Sequence, residues 1–516
     1  MSKQTGRRAE RKRKSSLRER SIKRRLSEAS RSSGRPVFGA RRPCYEVSQR
    51  CHAVAVGGIG LVHNLARRLR LGEAIDRKVR VLKRHLPYHE SDHVMNIAYN
   101  VLCGGTCLED IELLRTDEAY LNTLGAASIP DPTTAGDFCR RLKVDDIEAL
   151  MDGVNETRLK VWRGQPDSFR EEAYIDVDST FVTTTGGCKR ELDLNYKGGW
   201  GYHPLLVSLA NTNEPLYVVN RKARAKSEAG AAEWLDKAID LCRRAGFRNI
   251  TLRGDRAFSQ TKHLDRWDEA NIRVIFGLSA QPSLKQTAQE LTKNAWREID
   301  RPPKYVVKTK KRRRRRNIRQ EIVEERGYPD TRLVSEAVAE IEYKPVFCKK
   351  TYRVVITRQT SRITKGQTSL FESTRYFFLI TNERDLSAED IVFLSHDRCR
   401  QENLIEQLKN GTRSLRIPSD SSESNWAYMV SASLAWSLKA WLGLMIPNTG
   451  RWKEQSLKQK GDILRMRMKR FINAFIRIPA QVLRSERRTI LRLLNWNSHQ
   501  ITFLRIVDLL ERPLLC

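Results

Sequence analysis

The spacing of apolar residues separates the chain into helical and strand-forming stretches. From about residue 60 to 165 apolar residues recur with a helical period, as in "ESDHVMNIAYNVLCGG", which ends at a glycine pair. From residue 172 onward the pattern changes to runs rich in β-branched residues, such as "EAYIDVDSTFVTT" (172–184). The pattern therefore predicts a helical part followed by a part built on a sheet.

Between residues 172 and 279 the predicted elements follow the order β-β-β-α-β-α-β. The strands and helices are expected at 172–184, 203–223 (two strands around a turn), 230–247 (a helix closed by Gly246), 250–259, 261–271 (a short helix) and 272–279. Three strands that pair as a meander, followed by strands joined through helical crossovers, predict an α/β fold with a mixed sheet and helices on its faces.

The remainder of the chain interrupts and then completes this pattern. Residues 280–375 combine β-prone pieces with the basic run "KTKKRRRRRNIRQ", which we interpret as an inserted β-rich subdomain with a basic loop. The apolar stretch 426–446 is long enough to span a bilayer. Because it contains Lys439 and several serines and follows the polar run "SDSSESN", we expect a buried core helix instead.

Charge then points to a partner. The chain has 95 Lys and Arg against 61 Asp and Glu, a net charge of +34, which predicts a polyanionic partner. Nucleic acid is favoured over a membrane, because no basic amphipathic anchor with a lipidation motif is found. The N-terminus lacks the apolar core of a signal peptide, and the scattered cysteines form no CxxC pair, so we expect reduced thiols and a cytoplasmic protein.

These observations predict six parts. They are a basic, largely disordered arm (1–60), a helical DNA-end-binding domain (61–168), a first core segment (169–279), the basic β-rich insertion (280–375), a second core segment (376–450) and a basic helical C-terminal region for DNA contact or dimerisation (451–516).

The segment "RQENLIEQLKNG" (400–411), with Arg398 just upstream, carries charges of both signs on one helical face. Arg398, Glu402, Glu406 and Lys409 fall within roughly 80° of arc, and the leucines take another face. A ladder of exposed ion pairs would explain this pattern. The alternative is a catalytic helix, and the rest of the chain decides between the two.

Two aspartates join this helix. Asp178 lies on the first predicted strand and Asp255 at the end of the fourth, and these strands can be neighbours in a sheet of this order. With Glu402 they offer three carboxylates, which suit a hard cation such as Mg²⁺. Two such ions, roughly 3.5–4 Å apart, support phosphodiester cleavage. Arg398 and Lys409 would then contact DNA phosphate.

The strand "DVDST", the strand "LRGDRAF" and the arrangement Arg398-x3-Glu402-x6-Lys409 resemble the DDE insertion-sequence transposases. Within these the chain is similar to the bacterial group with an RNase H-like core, a β-rich insertion before the Glu and a Tyr-Arg-Glu-Lys signature. The run from "ESDHVMNIAYNVLCGG" to "IPDPTTAGDFCRRL" resembles the helical leader of that group, so the resemblance covers most of residues 80–450.

The resemblance implies a Mg²⁺-dependent enzyme, with Mn²⁺ expected to substitute, that excises a mobile element at its inverted-repeat ends. A 3′-OH then attacks the opposite strand or the target DNA. The implied partners are double-stranded DNA, both transposon ends and target, and a second copy of the chain in a homodimeric synaptic complex. The implied location is the bacterial cytoplasm, associated with the nucleoid. A catalytically silent DNA-binding descendant and an RNase H-like nuclease that cuts without joining are the alternatives.

Carried over residue by residue, the resemblance makes Asp178, Asp255 and Glu402 the catalytic metal ligands and Arg398 and Lys409 contacts of the transposon-end phosphates. The chain departs from the signature at one position, where Ser395 replaces the Tyr. A serine keeps a small hydroxyl but offers no stacking surface, so another residue supplies that contact or the ends are bound differently.

Two alternatives stay open within the predicted site. Asp176 and Asp178 share one face of a strand, so alternation does not choose between them, although the Asp-Ser/Thr-Thr sequence of the family favours Asp178. Glu406 lies one turn from Glu402, but only Glu402 has an Arg four residues before it and a Lys seven residues after it.

Further DNA contacts are expected outside the signature. The candidates are Arg256 beside Asp255, the five consecutive arginines of the insertion (Arg312, Arg313, Arg314, Arg315 and Arg316) and Trp200 on a glycine-rich turn.

Overall fold

A computed structural model describes residues 2–29, 52–84, 87–195, 198–301, 316–365, 368–447, 453–485 and 488–511. The first part of the chain is helical, as the apolar spacing predicts. Its elements are α1 (Ser2–Ala29), the short strand β1 (Ala53–Val54), α2 (Ile59–Arg68), α3 (Leu71–Lys78), α4 (Glu90–Cys103), α5 (Ile111–Arg115), α6 (Glu118–Leu124), α7 (Pro132–Arg141) and α8 (Val144–Arg163).

Local signals in the sequence account for these helix ends. Helix α4 stops at Gly104, whose φ of 98° lies in the left-handed region that glycine adopts without strain. Helix α7 starts after Asp131, whose side chain accepts a hydrogen bond from the Thr134 amide at 3.0 Å, with a proline in the first turn.

The expectation of a disordered N-terminal arm is wrong for residues 2–29, which form α1. Its composition is mostly Arg, Lys, Glu, Leu and Ser, and exposed pairs such as Glu10–Lys14 (2.6 Å) support the helix. Arg11 also donates to Asp508 at 2.7 Å, which fixes α1 to the C-terminal region. Residues 30–51 of the predicted arm lie outside the described part of the chain.

The next part alternates strands and helices in the predicted order. Its elements are β2 (Glu172–Ser179), β3 (Val182–Thr183), β4 (Asp193–Leu194), β5 (Trp200–Tyr202), β6 (Leu205–Leu209), β7 (Glu214–Val219), α9 (Ala231–Ala245), β8 (Asn249–Gly254), α10 (Leu264–Glu269) and β9 (Arg273–Leu278). Strands β3, β5 and β4 form a small separate sheet. Helix α9 ends at Gly246 (φ 90°), as predicted.

The insertion follows. Its elements are α11 (Pro282–Glu290), β10 (Arg297–Glu298), α12 (Ile318–Glu325), β11 (Pro329–Tyr343), β12 (Tyr352–Lys365) and β13 (Thr368–Thr381). The β-rich character is as predicted, but these strands do not form a sheet of their own. Residues 378–381 of β13 pair antiparallel with β9, and so satisfy the backbone groups that an edge strand leaves open.

The result is a mixed sheet of nine strands in the order β10-β11-β12-β13-β9-β8-β2-β6-β7. Strands β2, β6 and β7 form the antiparallel meander, and β8 and β9 run parallel to β2. The predicted contact between the first and fourth strands is therefore confirmed as the parallel pair β2–β8. A mixed sheet with helices on its faces confirms the predicted α/β class.

The last part of the chain begins with helices that pack on the sheet. Its elements are α13 (Ala388–Asp397), α14 (Cys399–Glu406), α15 (Ser422–Leu444), α16 (Lys453–Arg465), α17 (Met468–Phe471), β14 (Ala480–Ser485), β15 (Arg488–Leu493) and α18 (Gln500–Leu510). The C-terminal region, predicted to be helical, contains α16, α17 and α18, but β14 and β15 also form a hairpin there, on which β1 adds a third strand. Ala480 and Val482 are buried on its packed face, and Leu491 and Leu493 pack against the core beside them.

Helix α15 is the core helix predicted from the long apolar stretch, packed among α4, α7, α8, α16 and β7. Its one lysine, Lys439, is fully buried and donates to the carbonyls of Leu464 at 3.1 Å and Met466 at 2.7 Å. These carbonyls lie at the end of α16, where helix carbonyls lack intrahelical partners. Among the described residues, no helix is long and apolar enough to cross a membrane.

Candidate active site

The parallel strands β2 and β8 bring two aspartates to one edge of the sheet. Val177 lies opposite Gly254 in the register, so Asp178 and Asp255 follow at the same strand ends. Asp178 accepts a hydrogen bond from the Ser179 amide at 2.7 Å. Asp255 starts a 3₁₀ turn and accepts from the Ala257 amide at 2.9 Å. Both carboxylates are thereby oriented by their own local backbone.

The third carboxylate, Glu402, is on α14. This helix packs on the sheet through the preceding residue, Gln401. Gln401 is 1% exposed, and its amide nitrogen donates to the backbone carbonyls of Asp176 at 3.0 Å and Leu206 at 3.1 Å. These contacts fix the first turn of α14 to β2 and β6. Glu402, the next residue, is exposed on that docked turn.

The charges of Asp255 and Glu402 act on Asp178. The pKa of Asp178 is raised to about 6, chiefly by burial and to a smaller extent by the negative charges of Asp255 and Glu402. Arg398, with its Nη1 atom 3.4 Å from Asp178 Oδ2, opposes this shift. The site is thus a cluster of like charges that a positive ion would stabilise.

As they stand, the carboxylates do not enclose an ion. Within the described ranges, no three His, Cys, Asp or Glu side chains are placed to hold a metal. The donor set still fits a hard divalent cation, because it consists of carboxylate oxygens whose mutual repulsion a cation relieves. Asp178, Asp255 and Glu402 are therefore brought together as a charge cluster, but not as a finished coordination shell.

The two basic residues of the signature differ in their contacts: Arg398 faces the carboxylates, whereas Lys409 contacts the backbone. Arg398 lies at the junction of α13 and α14 and faces Asp178. Lys409 is half-buried, and its amine donates to the Phe181 carbonyl at 2.8 Å, so in this structure it supports the chain after β2. Burial lowers the pKa of Lys409. Ser395, in the Tyr position, accepts a backbone hydrogen bond from Arg398 at 3.3 Å.

The remaining candidates for DNA contact are spread over the surface. Arg256 is exposed and lines a cleft of about 520 Å³ with Lys262. Trp200 is 55% exposed on the small sheet. Arg316 is exposed and pairs with Glu321 at 2.8 Å. Arg312, Arg313, Arg314 and Arg315 lie outside the described residues.

Arg253 lies next to the site but was not among the residues predicted from the sequence. Arg253 is 2% exposed and donates to both carboxylate oxygens of Asp176, at 2.6 and 2.9 Å, and to the Leu394 carbonyl at 2.9 Å. The signal was present in the sequence: an Asp two residues before Asp178 and an Arg two residues before Asp255, on strands predicted to be neighbours. Glu406, the other open alternative, is exposed and accepts from the Gln407 side chain.

Comparison with known proteins gives a family. The model of the family described as Transposase DDE domain group 1 matches residues 51–513. Among curated proteins, none matches the chain. A solved structure of piggyBac transposase in a synaptic complex with hairpin DNA is similar at 8% identity, over 91% of this chain and 84% of that chain, with a TM-score of 0.36. At that TM-score the likeness supports no argument about function.

Proposed function

Since the chain belongs to the DDE transposase family, we propose that this transposase cuts DNA at the ends of its mobile element and joins the freed 3′-OH to target DNA. The observation that carries the proposal is the meeting of Asp178, Asp255 and Glu402 at the end of the parallel pair β2–β8. The strand order, an antiparallel meander followed by two strands parallel to β2, supports the RNase H-like assignment of this core.

Asp178, Asp255 and Glu402 would hold divalent cations, with Mg²⁺ or Mn²⁺ the ions proposed from the all-oxygen donor set. A bound cation of this kind lowers the pKa of the attacking oxygen and stabilises the leaving oxygen. The protein itself keeps Asp178 and Asp255 oriented through backbone amides, and fixes Glu402 through the docking of Gln401.

The basic groups around the site would bind the DNA backbone. Arg398 sits beside Asp178, and Arg256 and Lys262 line the adjoining cleft. Helix α1 presents many Lys and Arg side chains, so we propose it as a further phosphate-binding element, and we propose α2–α8 as the end-binding domain. Pairing two transposon ends requires two copies of the chain, so a homodimer on DNA is part of the proposal.

The test is cleavage of labelled DNA that spans an end of the mobile element, with Mg²⁺ or with EDTA. Glu402→Gln should lower the cleavage rate by roughly 10³-fold or more, because it removes a charged ligand that acts as one unit with the two aspartates. Glu406→Gln is the matched control, since it is exposed one turn away on the same helix and should cut like the wild type.

DNA binding is measured in parallel. Both variants should bind the end DNA with the same salt dependence as the wild type. Equal cleavage by Glu402→Gln and the wild type would contradict the site assignment. Binding of end DNA without cutting in Mg²⁺ or Mn²⁺ would identify the chain as a silent DNA-binding descendant.

A further inference from the structure

A buried ion pair lies directly beneath the candidate site. Both oxygens of Asp176 accept hydrogen bonds from Arg253, and the two side chains are 1% and 3% exposed. The charge of Asp176 is neutralised by Arg253, and the carboxylate is closed off from solvent. Asp178, which is partly exposed at the strand end, is therefore the better placed of the two to bind a metal.

The pair occupies the same position on both strands. Asp176 precedes Asp178 by two residues on β2, Arg253 precedes Asp255 by two residues on β8, and the register places Asp176 opposite Arg253. Residues two apart on a strand share one face of the sheet. The ion pair thus lies two residues before the two aspartates, on the same face of the sheet, and links the strands that carry them.

The same pair reaches the helix that carries the third carboxylate. Arg253 donates from Nη1 to the Leu394 carbonyl on α13, just before the junction with α14. The backbone carbonyl of Asp176 accepts from Gln401, the residue before Glu402. The Arg253 guanidinium therefore links β2, β8 and α13, and the backbone of Asp176 contacts α14, so the two residues of the pair reach every segment that supplies a candidate ligand.

We propose that Asp176 and Arg253 are positioning residues, which set the spacing of Asp178, Asp255 and Glu402 and thereby the affinity of the site for a divalent cation. The inference rests on the proposed function. Ligand groups must be held to within about 0.5 Å for full affinity, and the groups that orient them are typically worth 10–100-fold in metal binding.

The experiment measures Mn²⁺ binding to the full-length protein by electron paramagnetic resonance of the free ion, with thermal unfolding as the check on folding. Arg253→Lys keeps the positive charge but loses the two-pronged contact and the reach to α13. We expect its Mn²⁺ affinity to fall by about 10–100-fold. The metal concentration for half-maximal DNA cleavage should rise by the same factor.

Arg353→Lys is the matched control. Arg353 on β12 is also buried, pairs with Glu340 at 2.7 Å, and donates to the carbonyls of Glu383 and Leu386 at 3.1 and 2.7 Å. It thus has the same kind of contacts in the same sheet but touches none of the candidate ligands. Its Mn²⁺ affinity should stay within about twofold of the wild type, whatever it loses in stability.

If Arg253→Lys does not fold, Asp176→Asn takes its place, because asparagine keeps the size of the side chain and an oxygen that accepts from Arg253. Weaker Mn²⁺ binding by either variant, with Arg353→Lys unchanged, supports the inference. Folded variants that bind Mn²⁺ like the wild type overturn it and leave the proposed function standing. A wild-type protein that neither binds Mn²⁺ nor cuts DNA overturns the proposed active site as well.

Discussion

Two regions of the molecule bury an arginine–carboxylate pair, and they differ in what surrounds it. Arg158 on α8 pairs with Glu214 on β7 at 3.1 Å, and both side chains are at most 1% exposed. The indole nitrogens of Trp162 and Trp441 also donate to Glu214, at 3.1 and 2.7 Å, so this pair is closed in by the core. The Asp176–Arg253 pair instead lies under a partly open cluster of carboxylates.

The comparison shows that the role of a buried ion pair depends on its neighbours. The Arg158–Glu214 pair joins helix α8 to the sheet and to α15, through further bonds from Arg158 to the Pro215 carbonyl (2.8 Å) and the Ser437 hydroxyl (3.0 Å). Its loss should therefore affect stability, whereas loss of the Asp176–Arg253 pair should also affect the candidate site.

The largest effect is expected from breaking the closed pair. Glu214→Ala leaves Arg158 buried and unpaired, and should lower the free energy of unfolding by about 3–5 kcal/mol. Urea unfolding followed by circular dichroism measures it. Asp137→Ala, which breaks the exposed Asp137–Arg140 pair, is the control and should cost less than about 1 kcal/mol. A similar cost for both would mean that the closed pair contributes no more than a surface pair.

The carboxylate cluster around Asp178 should make the free energy of unfolding depend on pH. The folded protein holds Asp178 with its pKa raised to about 6, so it takes up a proton more readily than the unfolded chain. Ionisation of Asp178 therefore destabilises the fold progressively as the pH rises from about 4 to 6. Relative to the wild type, Asp178→Asn should gain about 2 kcal/mol between pH 4 and pH 7.5.

Urea unfolding of the wild type and Asp178→Asn at both pH values tests this expectation without added metal. A constant difference between the two proteins would show that the pKa of Asp178 is the same in the folded and unfolded states. Cleavage activity should increase over the pH range in which the stability of the wild type falls, since the charged form of Asp178 is the one that binds a cation.

A smaller loss of stability is expected when one hydrogen bond to the Arg158–Glu214 pair is removed. Trp441→Phe removes one hydrogen bond to the charged Glu214 and should cost about 2 kcal/mol in the free energy of unfolding. Trp436→Phe, on the same helix, removes a bond to the neutral Asn213 carbonyl and should cost about 1 kcal/mol. Equal costs would mean that the charge of the acceptor makes no difference.

The smallest effect is expected where the ion pairs are partly exposed. Asp508→Asn removes the pairs with Arg11 (2.7 Å) and Arg8 (3.6 Å) that fix α1, and should cost less than about 1 kcal/mol. The cost should vanish at 1 M NaCl, because salt screens exposed charges. Protease cleavage within α1 at low and high salt measures it, and an effect that persists at high salt would indicate packing instead of charge.

Much of the fold could be predicted from local pattern. Alternation, β-branched runs and stops such as Gly246 predict the helices between β2 and β9 and the strands of the large sheet there, and their order allows β2 and β8 to be neighbours. The short strands β4 and β5 fall outside the predicted elements. The pairing of β13 with β9 could not be predicted, because it joins segments about 100 residues apart through only four residue pairs. The high charge of residues 2–29 is typical of disorder and so does not predict α1, although the many Arg, Lys, Glu and Leu residues favour a helix.

The candidate site shows the same division. Asp178, Asp255 and Glu402 stand out by residue type and by their place on predicted elements, and their roles remain a proposal. The sequence places Asp176 and Arg253 at matching positions before Asp178 and Asp255, but the ion pair between them follows only from the register of β2 and β8. Lys409 was expected to face phosphate, but its stem is half-buried and its amine reaches the Phe181 carbonyl, which spacing along a helix does not reveal.

The insertion between β9 and α13 also separates the two aspartates of the candidate site from Glu402 during protein synthesis. Asp178 and Asp255 leave the ribosome early, whereas Glu402 and Arg398 follow about 150 residues after Asp255, once the three long strands of the insertion have been made. A chain that stops before α14 therefore lacks one of the three carboxylates. On the proposed function, a translation product that stops before α14 would lack Glu402 and would therefore be unable to cut DNA.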